Sequence, residues 1–285
     1  LLAQKELEDL ANDCYRKFEI FKMQQLNDSA AYYLKLRASL DATNFQWMID
    51  AGDFLYEYLA DFQNALSFYQ QCLKLSIERD GLLNKWVSLC YNDIGILYGD
   101  TGLSDSAIYY FQRSINIDST LFGENSTNNT ITYNNLGDTY SSLGAYDEAL
   151  RCFEKALNIS VLLDDNLNKA MSLNNIGTIY LYLDKYDDAL KLFNEALCIH
   201  IKESGENSLK VADVYGNLGF LYGEKEDFDT ALIYHIKALN IRKLVLSENH
   251  PDIALNNNNV GITYLRMGEP DKGLEYLEQA LSINR

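Results

Sequence analysis

Three histidines and five cysteines are the residues of this chain best suited to acid–base or covalent chemistry, and their placement argues against it. His200 falls near the end of an apolar-periodic stretch, His235 takes the position that Phe111, Phe153 and Phe193 hold in related segments, and His250 precedes Pro251. An imidazole in a phenylalanine position is expected to pack, and none of the three has a nucleophile in its sequence context. Cys14, Cys72, Cys90, Cys152 and Cys198 are odd in number, widely separated and without a C-x-x-C pair, which argues against a disulfide framework or a zinc site. Cys72 and Cys152 read as small hydrophobes on apolar helix faces. No phosphate-binding glycine loop, H-E-x-x-H or G-x-S-x-G is present. The chain therefore reads as non-enzymatic, with no catalytic residue, metal or cofactor expected. What remains is amide chemistry. Asparagine offers both a donor and an acceptor, so a row of asparagines can pair with the backbone of an extended peptide whatever its side chains.

The elements that would position such a row repeat along the chain. Five segments align: Tyr91–Tyr98, Tyr133–Tyr140, Leu173–Tyr180, Tyr215–Tyr222 and Asn257–Tyr264. Each contains one glycine (Gly95, Gly137, Gly177, Gly219, Gly261) at spacings of 42, 40, 42 and 42, with a tyrosine three residues later. Twelve residues after each glycine stands Ala107, Ala149, Ala189, Ala231 or Gly273, and seven further on Ser114, Ala156, Ala196, Ala238 or Ala280. Tyr56, Ala65, Tyr69 and Cys72 mark a sixth copy, in which Asp53 holds the glycine position and Gly52 comes one residue early. Phe21, Ala30, Tyr33, Leu34 and Ala38 outline a degenerate seventh, in a register shifted by one. Within a copy the apolar residues follow helical spacing, break at a turn such as Leu143–Asp147, and resume in a second helix. Small residues let the two helices approach, aromatic knobs fill the space beside them, and stacked copies bury a continuous core. Terminal copies of such an array are expected to be atypical.

Composition narrows the partner. The formal net charge is −17, which repels a phosphate backbone and argues against nucleic acid. An acidic surface favours a basic peptide or protein face; acids spread along the whole chain also serve plain solvation, and both readings stay open. No run of about 18 apolar residues is present to span a membrane, and no signal-peptide pattern is seen. Unpaired cysteines fit a reducing compartment, so a cytoplasmic location is expected. A chain opening on Leu1-Leu2 and stopping at Arg285 just after its last copy reads as part of a longer protein.

At the glycine, tyrosine and alanine positions of its six in-register copies, the sequence resembles the tetratricopeptide repeat family. Its copies run to about 42 residues rather than the family's usual 34, and Ala238–Asp252 resembles the linker of the kinesin light chain and nephrocystin-like subgroup. The resemblance implies an all-α fold, a right-handed superhelical solenoid of antiparallel helix pairs. Residues 1–45 would form a degenerate repeat or cap, followed by six pairs at about 46–87, 88–129, 130–169, 170–211, 212–253 and 254–285. It further implies a groove lined by the first helix of each pair, at positions three before each glycine and one, four and five after it. Those positions give Asn92, Asn134, Asn174 and Asn258 as the amide row, and Asp138, Thr178, Tyr182, Phe220, Glu224 and Arg266 as the selecting side chains. A second row, Asp93, Asn135, Asn175, Asn217 and Asn259, is expected to serve neighbouring helices instead. The groove positions carry no lysine, which argues against a clamp for a terminal carboxylate. The implied function is a scaffold binding a peptide or partner protein. The alternative is a sensor or regulatory domain of a larger signalling or defence protein, such as those of bacteria.

Overall fold

The computed structural model describes residues 2–283, with side chains described from Gln4 onward. Among these residues fourteen helices and no strands form. The chain divides into two compact units, Leu1–Leu121 and Phe122–Arg285. Unit 1 holds α1 (Leu2–Met23), α2 (Asn27–Leu40), α3 (Phe45–Leu59), α4 (Phe62–Asp80), α5 (Lys85–Asp100) and α6 (Ser104–Phe122, whose last residue falls in unit 2). Unit 2 holds α7 (Thr127–Ser142), α8 (Tyr146–Leu162), α9 (Asn166–Tyr182), α10 (Tyr186–Ser204), α11 (Leu209–Glu224), α12 (Phe228–Val245), α13 (Pro251–Arg266) and α14 (Pro270–Ile283).

Local chemistry starts and stops these helices. Asn84, Ser126, Asp165, Ser208 and Asp227 each accept from a backbone N–H of the first turn that follows, satisfying a donor that has no partner inside the helix. Pro251 opens α13, where a missing N–H costs nothing, and the imidazole of His250 caps it through Nδ1. The turn inside each pair passes through the left-handed region at one fixed place, seven residues after the glycine register. Gly102, Gly144 and Gly268 fill it in three pairs and Ala60, Asp184 and Glu226 in three others.

The repeat's small and large residues meet as partners. A Cβ placed on Gly95, Gly137 or Gly177 would come within 2.7, 2.4 or 2.8 Å of the ring of Phe111, Phe153 or Phe193. Each phenylalanine is buried flat against the glycine of the facing helix, so any side chain there would push the pair apart. The second pair departs from this. Gly52 is the residue that touches the knob, 2.5 Å from Tyr69 by the same measure, while Asp53 accepts the Tyr69 hydroxyl at 2.8 Å. In three pairs the tyrosine three after the glycine stacks across the pair, Tyr98 on Tyr110, Tyr222 on Tyr234 and Tyr264 on Tyr276, with ring centroids 5.4 to 5.7 Å apart; Cys152 and Leu192 stand at the facing position in two others. Within each unit the second helix of one pair packs on the first helix of the next, which continues the core from pair to pair.

Candidate functional site

Stacking pairs in unit 2 sets α9, α11 and α13 side by side, and an open cleft of about 300 Å³ lies along them. Its walls are Thr178 and Tyr182 of α9, Asn217 and Phe220 of α11, and Leu255 and Asn259 of α13. Tyr182 and Phe220 are 49% and 46% exposed, and Tyr182 stacks on Tyr146 at 5.7 Å. The polar floor is built around Arg242 of α12. Its guanidinium donates to Asp213 Oδ1 at 2.6 Å and to Asn256 Oδ1, and its Nε lies 3.6 Å from Asp252 Oδ2. Burying this cation is offset by partners on both flanking helices, so Arg242 ties α11 to α13 beneath the cleft. Asn256 is itself buried and its Nδ2 has no protein partner. Gly216 leaves space beside these groups: a Cβ there would meet nothing within 4 Å.

A smaller hollow of about 80 Å³ adjoins this cleft, sharing Phe220 and Asn259 with it. Here Arg266 pairs with Glu224 at 3.5 Å, donates to the Gly223 carbonyl at 3.2 Å and lies over the ring of Phe228. His235 closes the bottom, 4% exposed, packed on Gly219 as the phenylalanines pack on theirs. Burial pulls its pKa down to about 4, so the ring is neutral near pH 7, and its Nδ1 has no partner. His200 is also buried and its pKa lowered, by desolvation first and then by Lys210.

A sequence profile of the tetratricopeptide repeat matches residues 48–120, 121–202 and 210–285. The chain belongs to the tetratricopeptide repeat family. Solved structures similar to it include a Rap protein complexed with competence and sporulation factor (TM-score 0.75, 13% identity, covering 96% of this chain and 74% of that one). Others are the apo form of RapI (0.56, 17%, 85% and 97%) and a point variant of a putative kinesin light chain of Podosopora anserina with nearly identical TPR-like repeats (0.51, 16%, 68% and 92%). At these identities the likeness is one of fold: all-α helical repeats. No curated protein matches the sequence.

In this tetratricopeptide array the expected groove residues separate into three groups. Thr178, Tyr182 and Phe220 line the large cleft, and Phe220, Glu224 and Arg266 the adjoining hollow. Asn92 and Asn134 are buried; Asn92 donates to Asp93 and Asn134 accepts from Ser172 Oγ at 3.1 Å. Asn174 is half-buried and accepts from Asn217 at 3.0 Å, Asn258 is half-buried on α13, and Asp138 is exposed on α7, away from either cavity. The amides that reach the cleft are Asn217 and Asn259, two residues before the glycine rather than three. Positions two and three before the glycine both neighbour the position one after it on a helix, at i,i+3 and i,i+4, so spacing alone does not choose between them. The adjacent helix chooses, by covering one side. Arg242 and Asn256 carried no signal in the repeat register: the sister positions of Arg242 hold Ser76, Asp118, Ser160 and His200, which share no pattern. Among the described residues no group of three or more His, Cys, Asp or Glu could hold a metal, and no helix is long and apolar enough to cross a membrane.

Proposed function

We propose that this chain is an interaction scaffold that holds an extended peptide segment of a partner protein in the α9–α11–α13 cleft of unit 2. The observation that carries the reading is the joining, in one open cleft, of two amides with two half-exposed aromatic rings. The Asn259 amide and the Oδ1 of Asn217, whose Nδ2 already donates to Asn174 and Thr178, would pair with the peptide backbone, and Tyr182, Phe220 and Leu255 would take an apolar side chain between them. Arg242 and Asn256 set the polar end. Of the residues expected from spacing, Thr178, Tyr182, Phe220, Glu224 and Arg266 stay in this proposal; Asn92 and Asn134 are buried and are not part of it. The similar Rap structure, complexed with competence and sporulation factor, supports a protein or peptide partner for a fold of this kind.

The test is a random-octapeptide array probed with the wild-type chain and with Phe220→Ala plus Asn217→Ala. Retained peptides should be lost in the double variant while its circular dichroism is unchanged. Gly216→Asn, which restores the residue of the sister repeats, should fill the open space and weaken the same peptides. An array that retains no peptide, or retains them equally in all three proteins, rejects the cleft as the site.

A further inference from the structure

Unit 1 has its own cleft, of about 270 Å³, between α1 and α3. Its floor is aromatic: Phe18 meets Phe54 edge-on at 5.2 Å, and Phe54 stacks on Tyr58 at 4.6 Å. Four carboxylates, Glu19, Asp50, Asp53 and Glu57, line the same cleft. The ammonium of Lys22 sits over the floor, 5.0 Å from the Tyr58 ring centre, 5.6 Å from Phe18 and 6.0 Å from Phe54. Phe54 and Tyr58, stacked as one wall, and Phe18, set at a right angle to Phe54, form an open-sided ring cage beside this cation, which the ring quadrupoles attract. Lys22 is exposed and, among the described residues, lies within ion-pairing distance of no carboxylate, so it uses the rings and not the acids.

The two attractions are already combined nearby. Arg37 packs on Tyr15 and Trp47 at 4.5 and 4.7 Å, and its guanidinium lies 3.5 Å from Asp50. Asp53, by contrast, is bonded to the neutral hydroxyl of Tyr69. Its pKa is pushed up to about 6, by burial first and further by the charges of Asp50 and Glu57, against the pull of the Tyr69 hydroxyl. A cation brought beside it would favour its ionised form.

We propose that this cleft binds a basic side chain, lysine or arginine, of a partner peptide, and that Lys22 occupies the ring cage until that side chain displaces it. The rings take the cation's face, the carboxylates its remaining hydrogen-bond donors, and the acidic surround steers it in. The site is separate from the unit 2 cleft and does not depend on the reading of it.

The probe is acetyl-tetralysine amide, titrated calorimetrically into the whole chain at pH 7, with tetraglutamate as control. Tetralysine should bind and tetraglutamate should not. Tyr58→Leu, which keeps the charge, should weaken tetralysine by about threefold, the order of one exposed cation–ring contact; Tyr58→Phe should bind as the wild type. Lys22→Gln should tighten binding, whereas Lys5→Gln, the same charge change near the start of α1, should not. If tetralysine does not bind, or if Lys5→Gln tightens it as much as Lys22→Gln, the cage is not a site. Equal affinities for Tyr58→Leu and wild type reduce the effect to general attraction to an acidic chain and overturn the proposal. Should Tyr58→Leu fail to fold, the Lys22 and Lys5 comparison decides alone.

Discussion

A buried imidazole that stays neutral makes folding depend on pH. His235 binds its proton at about pH 4 in the folded chain against an ordinary 6.5, because burial disfavours the charged ring. Below pH 6.5 the unfolded chain takes up a proton that the folded one refuses, so stability is fully present above pH 6.5 and drains away as pH falls toward 4. Denaturant titrations of the wild type should show a lower unfolding midpoint at about pH 4.5 than at about pH 7, and His235→Phe, which restores the knob of the sister repeats, should reduce that difference. His200 shifts in the same direction and will leave a residual slope. Arg242 is the other residue whose loss should be felt, since it leaves Asp213 with only the longer ion pair to Lys210 and Asn256 with no bond. Arg242→Ala should cost about 2 kcal/mol, toward the lower end for a buried pair because Asp213 is partly open to water.

At the scale of the helix pair, two positions govern the fold. The glycine against the aromatic knob tolerates nothing larger: Gly137→Ala would set a methyl 2.4 Å from Phe153 and should lose about 2–3 kcal/mol, read as a fall in the unfolding midpoint. The left-handed turn residue behaves differently, because there the backbone and not the packing sets the cost. Glu226 and Asp184 hold positive φ angles of 61° and 58° where other pairs have glycine. Glu226→Gly should therefore stabilise by about 0.5–1 kcal/mol, and Gly144→Ala should destabilise by a similar amount. Within one repeat, Gly137→Ala should cost more than Gly144→Ala, which separates close packing from conformational strain.

At the scale of the molecule, the two units should answer pH in opposite senses. Asp53 of unit 1 has a raised pKa, about 6 against 3.8, and Asp93, which faces it, is held well above its ordinary value by burial and by the charge of Asp53. Their contribution is present below pH 3.8 and is lost as pH rises through 6, the reverse of His235. Asp50 and Glu57 add to the effect, and the Tyr69 hydroxyl, which favours the ionised form, opposes it. Hydrogen exchange followed by mass spectrometry should show α3 to α5 better protected at about pH 5 than at about pH 7.5, after correction for intrinsic rates, while α11 to α13 lose protection. Asp53→Asn should remove part of the first trend and none of the second.

The sequence by itself determined the repeat, because the residues that define it are those with the fewest alternatives. Glycine under Phe153, alanine between close helices and tyrosine stacked across the pair are each required by contact within one copy, so each recurs and can be read from spacing. The family and the all-α class followed from them. Only the tertiary structure decided which amides face the cleft. Asn134 and Asn217 both neighbour the groove stripe on their helices, and the difference between them is the helix that packs alongside, which buries Asn134 and leaves Asn217 half-buried at the cleft wall. Arg242, the room left by Gly216 and the ring cage around Lys22 belong to the same class. Each depends on side chains from separate helices meeting, a relation between elements that periodicity along a single helix does not encode.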